Sequence, residues 1–350
     1  MNLDPAARAV MSFPDRYAPA HNPLEPEALP RWLSCFPEKL AFYAADEAFC
    51  AGWRTIEAME RDGMLVLSRL WNIGSVLFKA DSLLRGNTRI GMDALAQAGF
   101  QVRVGREVTF PPPLVREFWR YSLGRYSDER IALLACLLSE APSLYLLVEA
   151  ERPDERVPTA LRLTDFKGEP VPELRAPGKL RSALGPPQSA LLNYVHTGDE
   201  PADVVRELGL LFDQAERHRC LVDALAGSGA AARALCDRLL AGAAPCADLD
   251  FESALKRVRE RVSLRLSGTE ARWAHVIARL EQVGRGESDA WSPLKLTLSE
   301  FGVDIDPLDD IVIRARLVPL KKAQPTQPFP SCELRHWREY GVRSPMDTAR

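Results

Sequence analysis

The sequence has few of the features that mark secreted, membrane-spanning or nucleic-acid-binding proteins. No apolar run is long enough to cross a bilayer, and the first residues lack the basic start and apolar core of a signal peptide. The formal net charge of −3 and the isoelectric point near 6.1 give no basic footprint for nucleic acid or anionic lipid. We therefore expect a cytoplasmic protein that binds neither membrane nor nucleic acid.

The sequence also lacks the common motifs for zinc sites and phosphate loops. Its seven cysteines are odd in number and scattered, with no C-x-x-C and no zinc-type spacing to histidine. Neither G-x-x-x-x-G-K-[ST] nor G-x-G-x-x-G occurs. We expect reduced thiols, no dedicated metal site, and no phosphate-binding loop of either type.

What is present is a chain longer than one typical domain, with a pattern that changes along its length. Residues 1–32 are rich in proline and alanine, which predicts an extended arm or loop. Apolar residues at helical spacing over 36–62 predict one or two helices. Residues 1–69 are therefore expected to form an N-terminal arm with helices.

Residues 70–215 alternate short apolar runs with helical patterns and predict a compact α+β domain. Strands are predicted over 76–78, 100–110, 143–148 and 191–195. Helices are predicted over 90–99, 114–121, 128–139 and 201–212. The seven prolines between 151 and 189 predict a loop with at most one short helix. This order predicts a ferredoxin-like β-α-β-β-α-β core with an added helical hairpin.

Residues 216–350 read as a mostly helical extension. Helical patterns over 213–242 and 251–286 are interrupted at 227–229 and at 267–268. Alternation over 311–320 predicts a late strand, and the proline-rich last 30 residues predict a polar tail. The fold expected for the whole chain is an α+β core with helical N- and C-terminal extensions.

Three short segments of this core resemble the motifs of nucleoside diphosphate kinases. F-K-A-D-S-L-L-R-G begins at Phe78 and resembles the family's K-P-D-x-x-x-R-G. P-G-K-L-R ends at Arg181 and resembles P-G-T-I-R, and N-Y-V-H-T-G-D-E contains His196 and resembles N-x-x-H-G-S-D-S. The segments come in the family's order, and Glu207 lies at the family's distance from the histidine.

The resemblance implies a phosphotransferase that moves the γ-phosphate of a magnesium-bound nucleoside triphosphate to a nucleoside diphosphate. His196 would carry the phosphate, because a neutral imidazole is a good nucleophile near pH 7. Glu207 would fix its tautomer, and magnesium would arrive with the nucleotide. The remaining residues implied in nucleotide and phosphate binding are Lys79, which is also expected to be catalytic, Arg162, Arg181, Asn193, Trp119 and Tyr126.

The sequence departs from the family pattern at several positions. Ala80 replaces the proline of K-P-D, and Gly198 replaces the serine that helps to bridge the histidine and the glutamate. Trp119 aligns with the family's tyrosine, and Tyr126 is the nearest candidate for the aromatic that stacks on the base. Gly168 or Pro170 lies where a phosphate-contacting threonine is expected. The phosphate-binding core is therefore better preserved than the nucleobase side.

These departures leave three functions open. The first is a nucleoside diphosphate kinase-like enzyme with a phosphohistidine at His196. The second is a catalytically weak or inactive nucleotide-binding scaffold, and the third is a phosphotransferase for a different acceptor. The family forms homo-oligomers, which this chain is also expected to form unless its extensions block or replace the usual contacts.

Overall fold

The computed structural model describes residues 20–185, 189–242, 248–265 and 270–340. Its sheet consists of β1 (Ile73–Phe78), β2 (Phe100–Val108), β3 (Ser143–Ala150) and β4 (Val195–Thr197). The strand order is β2-β3-β1-β4, and every neighbouring pair is antiparallel. β4 therefore lies at one edge of the sheet.

The described helices surround this sheet. Those from the N-terminus to β3 are α1 (Pro37–Ala44), α2 (Glu47–Arg61), α3 (Val66–Leu70), α4 (Ala80–Arg85), α5 (Thr88–Gln97), α6 (Pro112–Phe118) and α7 (Asp128–Glu140). Those after β3 are α8 (Thr159–Lys167), α9 (Leu180–Ala183), α10 (Pro201–Leu211), α11 (Gln214–Ala226), α12 (Ala230–Gly242), α13 (Phe251–Arg265), α14 (Glu270–Gly284), α15 (Trp291–Glu300), α16 (Pro307–Leu317) and α17 (Leu334–Tyr340). Short 3₁₀ helices lie at Pro26–Ala28, Arg31–Leu33, Arg120–Arg125, Pro172–Leu174 and Ser288–Ala290.

Each face of the sheet packs against helices and forms a separate large apolar core. β1 and β3 are buried along almost their whole length, as expected for uninterrupted runs such as S-L-Y-L-L-V. One face, with Val76 and Leu146, packs toward α5, α12 and the C-terminal helices. The opposite face, with Leu77 and Tyr145, is covered by α2, α10 and α11. Helix pairing between α2 and α10 thus ties the N-terminal segment to the end of the core.

Most of the elements predicted for residues 36–139 are confirmed. Two helices, α1 and α2, lie in the region predicted to hold one or two, and β1, β2, α5, α6 and α7 fall at the predicted places, whereas α4 was not predicted. α11 and α12 are separated at 227–229, as predicted. No described helix is both long and apolar enough to cross a membrane.

The prediction of a strand over 191–195 was wrong at its start. β4 begins only at Val195, because Tyr194 has a left-handed backbone with φ 67° that ends any extended run. The buried Asp81 carboxylate accepts a hydrogen bond from the Tyr194 N–H at 2.8 Å, and the Tyr194 carbonyl accepts one from the Lys79 N–H at 2.9 Å. Asp81, a residue of the first motif, thus shapes the entry to β4.

Two further predictions are corrected. The strand predicted over 311–320 is helix α16, which starts with Pro307 after Asp306, whose side chain accepts a hydrogen bond from the Leu308 N–H. Its neighbouring residues Ile311, Val312 and Ile313 are all buried, so the alternation did not mark an exposed face. The loop predicted between 151 and 189 contains two helices, α8 and α9, rather than at most one.

The terminal segments are more ordered than a loop and a tail. Trp337 of α17 is fully buried and contacts Trp71 with ring centroids 5.8 Å apart. The segment before α17 follows the helical hairpin, where the N–H groups of Lys322 and Thr326 donate to the carbonyls of Arg125 and Gly124. The outer parts of the predicted arm and tail, residues 1–19 and 341–350, lie outside the described residues.

Candidate active site

A cavity of about 640 Å³ opens beside the edge strand β4. It is large enough for a small organic ligand. Its walls come from β4, the hairpin of α6 and α7, helices α8 and α10, and both terminal segments. Seven of the eight residues selected from the sequence line it: Lys79, Trp119, Tyr126, Arg181, Asn193, His196 and Glu207.

His196 is held at the centre of β4 with one ring nitrogen engaged. Its Nε2 lies 3.0 Å from Oε1 of Glu207, which projects from α10. A carboxylate at this distance favours the tautomer with the proton on Nε2 and leaves a lone pair on Nδ1. Nδ1 has no hydrogen bond to any residue in the described part of the chain, and the side chain is 27% exposed. The imidazole is thus oriented but accessible.

Two aromatic rings hold this imidazole from the side. Phe118 and Trp119 contact it edge-on, with ring centroids 5.1 Å and 5.7 Å away. Glu207 is only 7% exposed, so few water molecules compete for its bond to the ring. The pair is therefore kept in one geometry by packing as well as by the hydrogen bond.

Two buried cations lie at the same cavity with incomplete charge compensation. Nζ of Lys79 donates to the Leu191 carbonyl at 2.9 Å and lies 3.5 Å from the Asp81 carboxylate. Burial lowers the pKa of Lys79 to about 8, although Asp81 opposes this shift. A bound anion would raise that pKa again, so the site favours a negatively charged ligand.

Arg181 is the second of these cations. Its guanidinium donates to the carbonyls of Asn193, Gly168 and Val195, at 3.3, 2.5 and 2.9 Å. Burial, followed by repulsion from Arg175, lowers the pKa of Arg181 to about 10. These contacts fix the group rigidly without neutralising its charge, because carbonyl groups carry no net charge.

Arg162 was expected to bind phosphate, but the structure places it away from the cavity. Its guanidinium donates to the Arg152 carbonyl at 2.8 Å and lies over the ring of Phe100. Lys167, five residues further along α8, lines the cavity instead. Five residues correspond to about 140° around a helix, so the two side chains point to different sides. No feature of the sequence distinguished Lys167 from Arg162 as the residue that lines the cavity.

Lys167 forms an ion pair with a carboxylate that also lines the cavity. Its Nζ lies 3.5 Å from Oδ1 of Asp199, which also lines the cavity. Burial lowers the pKa of Lys167, while Lys167 is the main group that holds the pKa of Asp199 below its ordinary value against the effect of burial. Sequence reasoning missed both residues.

Tyr126, the candidate for stacking on a base, already has a cation against its ring. Tyr126 does line the cavity, but the guanidinium of Arg130 lies 3.9 Å from its ring centroid. One face of this aromatic ring is therefore already occupied by a cation–π contact. Asn193 is buried at the cavity, and its amide donates to the Ala190 carbonyl at 2.7 Å.

The space left by the missing side chain at Gly198 is occupied by Ser75. A Cβ at position 198 would lie 2.8 Å from the Ser75 hydroxyl oxygen and 3.5 Å from Oε1 of Glu207. The Gly198 N–H donates to the same hydroxyl at 3.2 Å. A side chain at 198 and the present position of Ser75 thus exclude each other.

The terminal segments complete the cavity with residues that the sequence did not mark. Lys39 and Tyr43 come from α1, and Phe329 and Cys332 come from the segment before α17. These residues are about 290 positions apart, and no local pattern relates them. Lys39 is tied to Glu200 and Asp203, with a nitrogen–oxygen distance of 2.7 Å to each carboxylate.

No protein-family model matches this chain, and no curated protein matches it. Among solved structures it is similar to the nucleoside diphosphate kinase of Aquifex aeolicus, at 21% identity and a TM-score of 0.35, over 41% of this chain and 97% of that one. An NDP kinase from Pyrobaculum aerophilum shares 17% identity, with a TM-score of 0.33 and coverage of 41% and 97%. The nucleoside diphosphate kinase of Halobacterium salinarum, solved in complex with CDP, shares 20% identity, with a TM-score of 0.34 and coverage of 40% and 87%. Similarities at this level establish neither the family nor the activity of the chain.

Proposed function

We propose that residues 70–215 form a ferredoxin-like phosphotransferase unit in which His196 carries a phosphoryl group from a magnesium-bound nucleoside triphosphate to a nucleoside diphosphate. The observation that carries this proposal is the 3.0 Å contact between His196 Nε2 and Glu207 Oε1, in a cavity that also contains Lys79 and Arg181. The strand order and antiparallel pairing support the ferredoxin-like assignment.

In the first half-reaction, the Nδ1 lone pair of His196 attacks the γ-phosphorus. The bond from that phosphorus to the β,γ-bridging oxygen breaks, and the nucleoside diphosphate leaves with the electron pair. The ring becomes cationic while Nε2 keeps its proton, and Glu207 stabilises this charge. In the second half-reaction, a terminal oxygen of the acceptor diphosphate attacks the same phosphorus and the bond to Nδ1 breaks.

The cationic side chains of the cavity stabilise the negative charge of the phosphoryl group during transfer. The moving phosphoryl group is surrounded by negatively charged oxygens, and its transfer depends on positioning and charge stabilisation. Lys79, Lys167 and Arg181 supply positive charge from fixed positions around the cavity. Magnesium enters as part of the nucleotide substrate and supplies further positive charge at the phosphates.

Incubation with γ-³²P-labelled ATP tests this proposal. We expect acid-labile, base-stable label on the wild-type protein and none on the His196→Ala variant. His218→Ala is the matched control, because His218 is exposed on α11 and should leave labelling unchanged. Absence of label from the wild type would contradict the proposal, and so would undiminished label on His196→Ala.

A second candidate is a nucleotide-binding scaffold with little or no turnover. It is favoured by Trp119, which lacks the hydroxyl of the expected tyrosine, and by Tyr126, whose ring already contacts Arg130. Tight nucleotide binding by calorimetry without label on His196 would support it. Labelling followed by transfer only to acceptors other than nucleoside diphosphates would support the third function, a phosphotransferase for a different acceptor.

A further inference from the structure

Two cysteines far apart in the sequence meet at the wall of the cavity. Sγ of Cys35 and Sγ of Cys332 are 3.0 Å apart, and both residues are buried. This separation is only about 1 Å longer than a disulfide bond. Both thiols are free, and no other pair among the described cysteines is in contact.

The carboxylate of Glu200 lies close to the two thiols, so these three groups could also form a metal site. Ligand atoms of Cys35, Cys332 and Glu200 all lie within 4.8 Å of one another. However, Glu200 already accepts hydrogen bonds from the Cys35 N–H at 2.8 Å and from the Lys39 ammonium at 2.7 Å. That ammonium group would repel a divalent cation at this position. The surroundings therefore favour thiol chemistry over metal binding.

We propose that Cys35 and Cys332 form a reversible disulfide that joins the N-terminal helices to the C-terminal segment of the cavity wall. Cys332 lines the cavity and Cys35 does not, so Cys332 is the thiol that we expect a small-molecule disulfide to meet first. The Cys332 thiolate attacks this oxidant, forms a mixed disulfide and releases one thiol. Cys35 then attacks the Cys332 sulfur and releases the second thiol, so the protein loses two hydrogens and the oxidant gains them.

The surroundings of Cys332 determine how the rate of disulfide formation depends on pH, and the length of the closed loop determines how much the disulfide stabilises the protein. The hydrogen bond with Cys35, together with burial, raises the pKa of Cys332, so exchange is expected to be faster at pH 9 than at pH 7. The link would close a loop of almost the entire chain between residues 35 and 332. Cross-links over long loops stabilise a fold mainly by restricting the unfolded chain, so the oxidised protein should melt at a temperature roughly 5 °C higher.

Oxidised glutathione applied to the full chain tests this site. After alkylation and digestion, we expect one peptide pair linked through Cys35 and Cys332, with a mass loss of two hydrogens. The rise in melting temperature should vanish in Cys35→Ser and in Cys332→Ser, and persist in Cys136→Ser, which removes an exposed cysteine. The peptide mapping uses the wild-type protein, so it does not depend on folding of a variant.

Two results would overturn the disulfide proposal. One is alkylation of both Cys35 and Cys332 under conditions that glutathionylate Cys136. The other is stoichiometric zinc in the purified protein that is lost in Cys35→Ser.

Tyr145 lies in the sheet next to the strand that faces Glu207 and His196. Tyr145 of β3 pairs with Leu77 of β1, which pairs with His196 of β4, so the three side chains lie in one row on one face of the sheet. The Tyr145 hydroxyl and Oε2 of Glu207 are both buried without a hydrogen-bond partner among the described residues. Burial raises the pKa of Tyr145, and the neighbouring Glu207 carboxylate raises it further. The Tyr145 hydroxyl thus has two polar neighbours, the Glu207 carboxylate and the Ser75 hydroxyl, of which Ser75 opposes the rise in its pKa.

We infer that Tyr145 is a positioning residue whose hydroxyl donates to Oε2 of Glu207. This contact would hold the carboxylate so that Oε1 faces Nε2 of His196. Ser75 lies on the same sheet face, and its hydroxyl already accepts from the Gly198 N–H, which supports the neighbouring turn. The effect on catalysis rests on the function proposed above, whereas the effect on the tautomer of His196 does not.

Tyr145→Phe tests this inference, since it removes one hydroxyl and keeps the ring in the core. Nitrogen-15 NMR should show the Nε2–H tautomer of His196 in the wild type and a mixture in the variant. The rate of labelling from γ-³²P-ATP should fall about ten- to hundredfold. Ser143→Ala is the control, because it removes another buried, unpartnered hydroxyl from β3 and should change neither readout.

The His196 tautomer and the labelling rate together distinguish the positioning role of Tyr145 from the proposed phosphotransfer function. A changed tautomer in Tyr145→Phe without label on the wild type would support the positioning role and contradict the proposed function. Normal labelling with an unchanged tautomer in Tyr145→Phe would overturn the positioning role alone.

Discussion

Two buried lysines line the same cavity, and their surroundings differ. Lys39 lies 2.7 Å from both Glu200 and Asp203, and these carboxylates raise its pKa well above the ordinary value although burial opposes them. Lys79 has a single carboxylate at 3.5 Å, and burial lowers its pKa to about 8. The first charge is neutralised within the protein, whereas the second remains available to a ligand.

This difference separates the part of the cavity that holds the fold together from the part that we propose to bind nucleotide. Lys39 joins α1 to the start of α10, so it connects the N-terminal segment to the core. Lys79 follows β1 and faces the region of His196 and Arg181. Substitutions at the two lysines should therefore affect different measurements.

The largest effect is expected from Lys39→Met. It would leave the buried Glu200 and the half-buried Asp203 without their cation, and removing one partner of a buried ion pair costs about 3–5 kcal/mol. The free energy of unfolding, measured with denaturant, should fall by that amount. An unfolding midpoint equal to that of the wild type would show that the charges at this end do not stabilise the fold.

The next effect is expected from Lys79→Met, which tests the other half of the comparison. The free energy of unfolding should fall less than in Lys39→Met, because one buried carboxylate, Asp81, loses its cation instead of two, and loss of the poorly compensated charge of Lys79 offsets part of that cost. Affinity for a nucleoside triphosphate should fall about ten- to hundredfold, since a hydrogen bond to a charged group is lost. Calorimetry measures this affinity, and a stability loss as large as that of Lys39→Met would remove the distinction between the two lysines.

A smaller effect is expected from pH. The pKa of Lys79 is about 8 in the folded chain and 10.5 ordinarily, so the unfolded chain binds more protons between these values. The contribution of Lys79 to the free energy of unfolding therefore rises as pH increases from about 8 to 10.5. In the proposed function nucleotide binding needs the protonated form, so affinity should weaken about thirtyfold between pH 7 and pH 9.5. Lys79→Arg keeps its proton over this range and should show a much flatter profile, whereas equal profiles would exclude Lys79 as the titrating group.

The smallest effect is expected from Arg162→Ala. Its guanidinium lies outside the cavity, so nucleotide affinity should stay within about twofold of the wild type. Lys167→Ala is the paired variant, and it should weaken binding because it removes a cation from the cavity wall. A stronger loss from Arg162→Ala than from Lys167→Ala would mean that the assignment of the two residues is reversed.

The sequence by itself determined the local elements of the core. Apolar runs predicted β1 and β3, alternation predicted β2, and helical spacing predicted helices around them, because these signals depend on residues close in the chain. The resemblance to the family, through its motifs, spacing and aligned positions, also selected seven residues that line one cavity. The strand predicted from alternation over 311–320 was wrong, because helix α16 is buried on several sides and its hydrophobic residues therefore do not follow the helical period.

Only the tertiary structure decided which residues complete the site. It places Lys167 at the cavity and Arg162 outside it, because the rotation of α8 is set by packing against the sheet. It also brings Lys39 and Cys332 to the same wall from opposite ends of the chain, and it sets Tyr145 behind Glu207 through the pairing of β3, β1 and β4. Contacts between distant segments depend on how whole elements pack, and a single sequence carries no local signal for them.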